Sequence, residues 1–141
     1  MPVPLLDSLS YCSRGDPDTD DTTVRQIVAV ARRNNAIHGI TGLLVHGAGV
    51  YFQWLEGPPQ SINRLMQNIE RDPRHRDVVI LDRNLDEPER VFPQWEMEAV
   101  SPSEIEDVLA DAVQSVQTSS NQASLQRLLH HVQALRDSTG R

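Results

Sequence analysis

The stretch Gly39–Pro58 constrains this chain more than any other. Two runs of strand-forming residues, Ile40–His46 and Val50–Glu56, flank the short turn Gly47-Ala48-Gly49. Such runs around a glycine-built turn predict a β-hairpin. In the middle of the second run, Gln53 stands among Tyr51, Phe52, Trp54 and Leu55. A buried amide left without a partner costs about 1–3 kcal/mol. The hairpin therefore asks for something to which Gln53 is hydrogen-bonded.

The flanking segments supply a candidate. Leu5–Ser13 reads as a first strand, with Leu9, Tyr11 and Ser13 on one face and Leu6, Ser10 and Cys12 on the other. Arg14–Asp18 is a turn-rich acidic loop. Val24, Ile27, Val28 and Ala31 then recur at helical spacing, which predicts a helix over roughly Thr22–Asn34. Asp20, Asp21 and Thr22 offer caps, and Asn34-Asn35 supplies the stop.

After the hairpin, Pro58-Pro59 opens a second helix carrying Ile62, Leu65, Met66 and Ile69. It ends near Arg71-Asp72-Pro73, because a residue before proline avoids the helical region. Asp77–Asp82 is a fourth strand, Leu85–Arg90 a polar connection, and Phe92–Ala99 a fifth strand with Trp95, Met97 and Ala99 on one face. Ser101-Pro102-Ser103-Glu104 starts a third helix. A last helix bears Leu125, Leu128, Leu129, Val132 and Leu135.

The first six elements follow the order β-α-β-β-α-β, a ferredoxin-like α+β plan, here with an added fifth strand and two C-terminal helices. In that plan the first and third strands are expected to be neighbouring, parallel and central. Tyr11 then lies beside Gln53, and its hydroxyl is the partner a buried amide needs. Both helices of the plan cover one sheet face, and the helix from Ser103 is expected to lid the other. Residues 1–100 form the main domain. Residues 101–141 form a helical extension that serves capping, oligomerisation or a partner surface.

Composition removes several functions. The net charge is -7, unsuited to nucleic-acid binding. All 13 basic residues are arginine, which excludes a Schiff-base or Walker lysine. One cysteine and five histidines without metal-ligand spacing give no metal site. No membrane span or leader is expected, and the chain reads as soluble and cytoplasmic. No nucleophile–base pair stands out, so no enzyme activity is expected. Three polar groups do converge: Tyr11 with Gln53, Asn34-Asn35, and Arg71-Asp72-Pro73-Arg74-His75. They suit a cleft with hydrogen-bonding amides and an anion-binding mouth, fit for a planar, phosphate-bearing ligand. The same spacing also suits a satisfied Tyr–Gln pair in a filled core.

Five motifs in order carry a resemblance. They are Tyr11-Cys12-Ser13-Arg14, Asn34-Asn35 with Gly39-Ile40-Thr41-Gly42-Leu43-Leu44, Phe52-Gln53-Trp54-Leu55-Glu56-Gly57-Pro58, Asp72-Pro73-Arg74-His75, and Phe92-Pro93-Gln94-Trp95-Glu96-Met97. Over about residues 4–100 the chain resembles a BLUF domain, the blue-light sensor that uses FAD. The resemblance implies FAD held noncovalently between the two helices. It implies that Asn35, with Asn34 beside it, bonds the flavin ring. It implies that Asp72, Arg74 and His75 form the loop contacting the flavin and its phosphate tail. Tyr11 then gives up an electron and a proton in the light, Gln53 rearranges its hydrogen bonds, and Trp95 and Met97 respond. Which of Trp95 and Met97 sits beside Gln53 is open.

The resemblance is to a short, single-domain sensor that signals to a separate protein or through its own oligomer. For the oligomer, the apolar stripe Leu125–Leu135 is the expected seam, or else it packs on the sheet. Two other readings compete. One is an acylphosphatase-like hydrolase using Arg14-Gly15 as a phosphate cradle; the other is an interaction module without flavin.

Overall fold

The computed structural model describes residues 5–15, 21–47, 49–73, 75–93, 96–100, 102–116 and 118–139. Expectations resting on the loop 16–20, Asp20 as a cap, Ala48, Arg74, Gln94, Trp95 and Ser101 lie outside them. The elements run β1 (Leu6–Arg14), α1 (Asp21–His38), β2 (Thr41–Gly47), β3 (Val50–Gly57), α2 (Pro59–Arg71), β4 (Arg76–Glu87), β5 (Glu96–Val100), α3 (Pro102–Ser115) and α4 (Ser119–Thr139). The strands make one sheet in the order β4-β1-β3-β2-β5. The α+β ferredoxin-like plan holds, with β5 added beside β2.

One expectation is corrected. β1 and β3 are central neighbours, but they pair antiparallel. The α1 crossover returns the chain so that β2 runs in the direction of β1, and the hairpin then reverses β3. The register still sets Tyr11 directly opposite Gln53.

α1 also runs further than expected, to His38, so Asn34 and Asn35 lie in its last turns. Gly39 is the stop. Its φ is 70°, and the Ile40 N–H reaches back to the Asn35 carbonyl at 2.9 Å. This is the left-handed closure that glycine allows without strain. β4 likewise continues to Glu87 and absorbs the first half of the expected polar connection. Its polar residues are used: the Asn84 amide nitrogen lies within hydrogen-bond distance of Ser8 Oγ, Asn121 Oδ1 and Ser124 Oγ. β5 begins at Glu96 rather than Phe92. The preceding residues are held out of the sheet because Glu56 accepts the backbone N–H groups of Val91 at 2.6 Å and Phe92 at 3.0 Å.

Alternation along β3 divides the core. Tyr51, Gln53 and Leu55 face α1 and α2, where Leu9, Tyr11, Leu44, Ile62, Met66 and Met97 are buried. Phe52 and Trp54 face α3 and α4, packing with Leu43, Val45, Ile105 and Leu109. Leu125, Leu128 and Val132 of α4 are fully buried in that same layer. Of the two destinations open to the α4 stripe, packing within the chain is the one these residues take. Five strands spaced about 4.8 Å apart span about 19 Å, whereas one helix covers about 10 Å, so α3 alone cannot close the face.

Candidate functional site

The site begins at the central strand pair. Tyr11 is fully buried, and its hydroxyl donates to Gln53 Oε1. The other end of the amide is also engaged: Gln53 Nε2 donates to Met97 Sδ at 3.1 Å. Gln53 thus spans β1 and β5 from β3 and closes the question posed by its sequence. Burial raises the Tyr11 phenol far above its ordinary pKa, and the nearby Tyr51 and Asp72 push it the same way. Tyr11 is therefore held neutral, with its proton on the hydrogen bond to Gln53.

A cleft of about 360 Å³ opens in front of Gln53, between α1 and α2. Ile27, Ala31 and Asn35 of α1 face Leu65, Ile69 and Asp72 across its inner part. Asn34 and His38 on one helix, with Ser61, Arg64 and Asn68 on the other, add polar groups to its walls. The i, i+3, i+4, i+7 spacing puts each set on one face of its helix. Asn35 is 1% exposed, and its side-chain Nδ2 has no partner among the described residues. A buried amide donor without an acceptor is costly, so the cleft offers a site that a carbonyl-bearing ligand would satisfy. An apolar wall, a stranded amide donor and polar groups with one guanidinium fit a flat heteroaromatic ring carrying carbonyl groups and a phosphate tail.

His75 also lines the cleft. Its Nδ1 lies 2.8 Å from Ser13 Oγ, and its ring packs beside Tyr51 at 4.9 Å between centroids. Glu56 sits behind the site on the α3 side. Burial pushes its carboxyl above the usual range, against the pull of the Phe92, Trp54 and Val91 donors and of Arg90.

The sequence model described as "BLUF: Sensors of blue-light using FAD" matches residues 6–98. The chain belongs to the BLUF family. BLUF domains are flavin-binding blue-light sensors that act on effectors. The photoactivated adenylate cyclase subunit beta of Euglena gracilis is 35% identical over 118 residues, covering 78% of this chain. The blue light- and temperature-regulated antirepressor BluF of Escherichia coli is 32% identical over 77 residues, covering 55% of this chain. This chain spans 14% of the former and 19% of the latter. Among solved structures, a BLUF domain of BlrP1 superposes with a TM-score of 0.76 at 30% identity, covering 96% of this chain and 93% of that one. The BLUF protein BlrB in its dark state gives 0.70 at 29% identity, covering 94% and 99%.

Within this BLUF fold, the residues anticipated from the sequence separate into groups. Gln53, Asn34, Asn35, Asp72 and His75 line the cleft. Tyr11 and Met97 are not in its wall; each touches it through Gln53. Met97 lies beside Gln53, and Trp95 and Arg74 lie outside the described residues. The lining cation is Arg64, and Arg71 is not among the described lining residues. Arg64, Ser61 and Asn68 leave no mark in the apolar period of α2, which runs through Ile62, Leu65, Met66 and Ile69. Continuing the helical period from Leu65 and Ile69 to their polar neighbours finds all three. Arg14 pairs loosely with Asp77 at 3.8 Å, both side chains mostly exposed, and so does not form a buried phosphate cradle.

Proposed function

We propose that this chain binds FAD noncovalently in the α1–α2 cleft and turns blue light into a change of hydrogen bonding at Gln53, which a separate partner protein reads. One observation carries the proposal: a single buried amide bridges an oxidisable phenol and a methionine sulfur at the edge of a cleft holding an unpaired amide donor. Flavin, when bound, supplies blue-light absorption and an excited state that takes up one electron.

The residues divide the remaining work. Asn35 donates to a ring carbonyl, with Asn34 beside it, and Asp72 and His75 contact the ligand from the loop after α2. His38 and Arg64 also line the cleft, and Arg64 offers a phosphate tail a permanent positive charge. Arg74, next to His75, is assigned to the same tail by the family motif. Tyr11 is the electron donor. Its proton has one exit in place, the hydrogen bond to Gln53 Oε1.

Gln53 can take that proton on Oε1 while giving up one from Nε2 toward the cleft, or it can turn, because an amide both accepts and donates. Tautomerisation changes which protons it offers the cleft, and turning reverses the end it presents and breaks the contact from Nε2 to Met97. Trp95, two residues before Met97 on the same segment, is assigned to the same response. The chain acts as a sensor with no turnover of its own.

The test is spectroscopic. The purified protein, loaded with FAD, should be yellow, and blue light should shift its absorption slightly to the red and reversibly. A protein that cannot be loaded with flavin contradicts the proposal. Hydrolysis of an acyl phosphate by the colourless protein would favour the acylphosphatase-like reading instead.

A further inference from the structure

Met97 does not lie on a regular strand. Gly42 of β2 pairs with Glu96, but the next residue, Leu43, pairs with Glu98. Met97 is therefore the extra residue of a β-bulge. Its φ is 129°, a conformation that non-glycine residues rarely adopt. Its side chain is fully buried with the sulfur on Gln53 Nε2. A strained backbone persists only where its surroundings hold it. The carbonyl of this same residue accepts a hydrogen bond from Arg32 Nε at 3.0 Å. Arg32 belongs to α1 and projects from it to β5, while Asn35, one turn later, lines the cleft.

We infer that Arg32 is a positioning residue that clamps the Met97 bulge and so keeps the methionine sulfur against Gln53. Strain of this kind and a charge-assisted hydrogen bond to a carbonyl are similar in size, so one guanidinium suffices to hold the bulge. With the clamp in place, a Gln53 that has turned in the light meets a Met97 that is held in its dark position, and the return is favoured. Without it, the bulge relaxes, Met97 leaves the amide and the return slows. The same contact joins the light-responsive strand to α1, so a change at Gln53 reaches the helix that forms one wall of the cleft. This inference rests on the proposed light cycle.

The test compares full-length wild-type protein with Arg32→Ala and Arg32→Lys, each loaded with FAD. The chain has three methionines, so the Met97 methyl is readily assigned by NMR. In the dark, Arg32→Ala should move that methyl resonance and leave that of Met66 in place. Its recovery after blue light should slow about tenfold or more, the effect of losing a hydrogen bond to a charged group. Arg32→Lys, which keeps a cationic donor, should recover part of both. Flavin content and thermal midpoint should stay close to wild type.

An Arg32→Ala protein with an unmoved Met97 methyl, or with recovery within about twofold of wild type, would overturn the inference. A wild-type protein with no red shift would overturn the light cycle instead, and the dark methyl comparison would still decide the clamp.

Discussion

The two faces of one sheet are built by the same strands to different standards of completeness. On the α3–α4 face, Trp54, Phe52, Leu43 and Val45 meet two helices in one apolar cluster. Its polar seam is bonded across α4 and β4: Ser8 Oγ donates to Asn121 Oδ1 at 2.6 Å, and Asn84 reaches Ser8, Asn121 and Ser124, while Asn121 Nδ2 and Ser10 Oγ have no partner among the described residues. On the α1–α2 face the helices stand apart, a cleft of about 360 Å³ remains, and a buried Asn35 amide donor is left unpaired. Successive residues of β3 serve both faces. Trp54 fills one while Gln53 waits in the other. The closed face supplies stability, and the open face keeps the groups that act.

That division can be broken from either side, beginning with the largest effect. Trp54→Ala should remove about 3–5 kcal/mol of stability, the cost of emptying a large buried aromatic site. Urea unfolding measures it, and the red shift of the protein that remains folded should keep its size. Loss of the shift in folded Trp54→Ala protein would show that the two faces are not separable.

Asn35→Ala should weaken FAD binding about tenfold, worth roughly 1.4 kcal/mol. It should not lower the stability of the flavin-free protein, because the donor it removes has no partner there. Flavin titration paired with urea unfolding checks both halves. A drop in flavin-free stability would mean that Asn35 is structural.

Asn84→Ala should cost about 1–2 kcal/mol, because it removes the donor that Ser8, Asn121 and Ser124 share. The light response should be unchanged, which a difference spectrum checks.

The smallest effect concerns Glu56, the anchor between the faces. Its folded-state pKa lies above the ordinary 4.5, with burial as the leading cause. The folded chain then binds the proton more tightly than the unfolded chain. Stability from this group is full below that ordinary value and is lost as pH rises through the folded value. Glu56→Gln should flatten that slope. Unfolding midpoints across mildly acidic to neutral pH measure it, and parallel slopes for the two proteins would exclude the assignment.

How much of this was legible in the sequence follows from which periodicities are unbroken. The period of two in β3 placed Gln53 and Trp54 on opposite faces, and the element order placed Tyr11 beside Gln53. The strand direction was misjudged, yet adjacency does not depend on it. The reach of α1 was misjudged because asparagine can stop a helix, whereas here Gly39 does so and Asn35 is free to point into the cleft. The Met97 bulge was not legible: an extra residue leaves no mark on the alternation of apolar residues, and its clamp, Arg32, is 65 positions away in the chain. The α4 stripe was visible, but its destination depended on the width of the sheet, which only the assembled strands reveal.

The central claim is that Gln53 is the moving part. The most direct measurement is the light-minus-dark absorption spectrum of wild type beside Gln53→Ala and Tyr11→Phe, all loaded with FAD. The account predicts a small, reversible red shift in the wild type and none in either variant, with flavin retained in all three. A red shift of wild-type size and recovery in Gln53→Ala would contradict it.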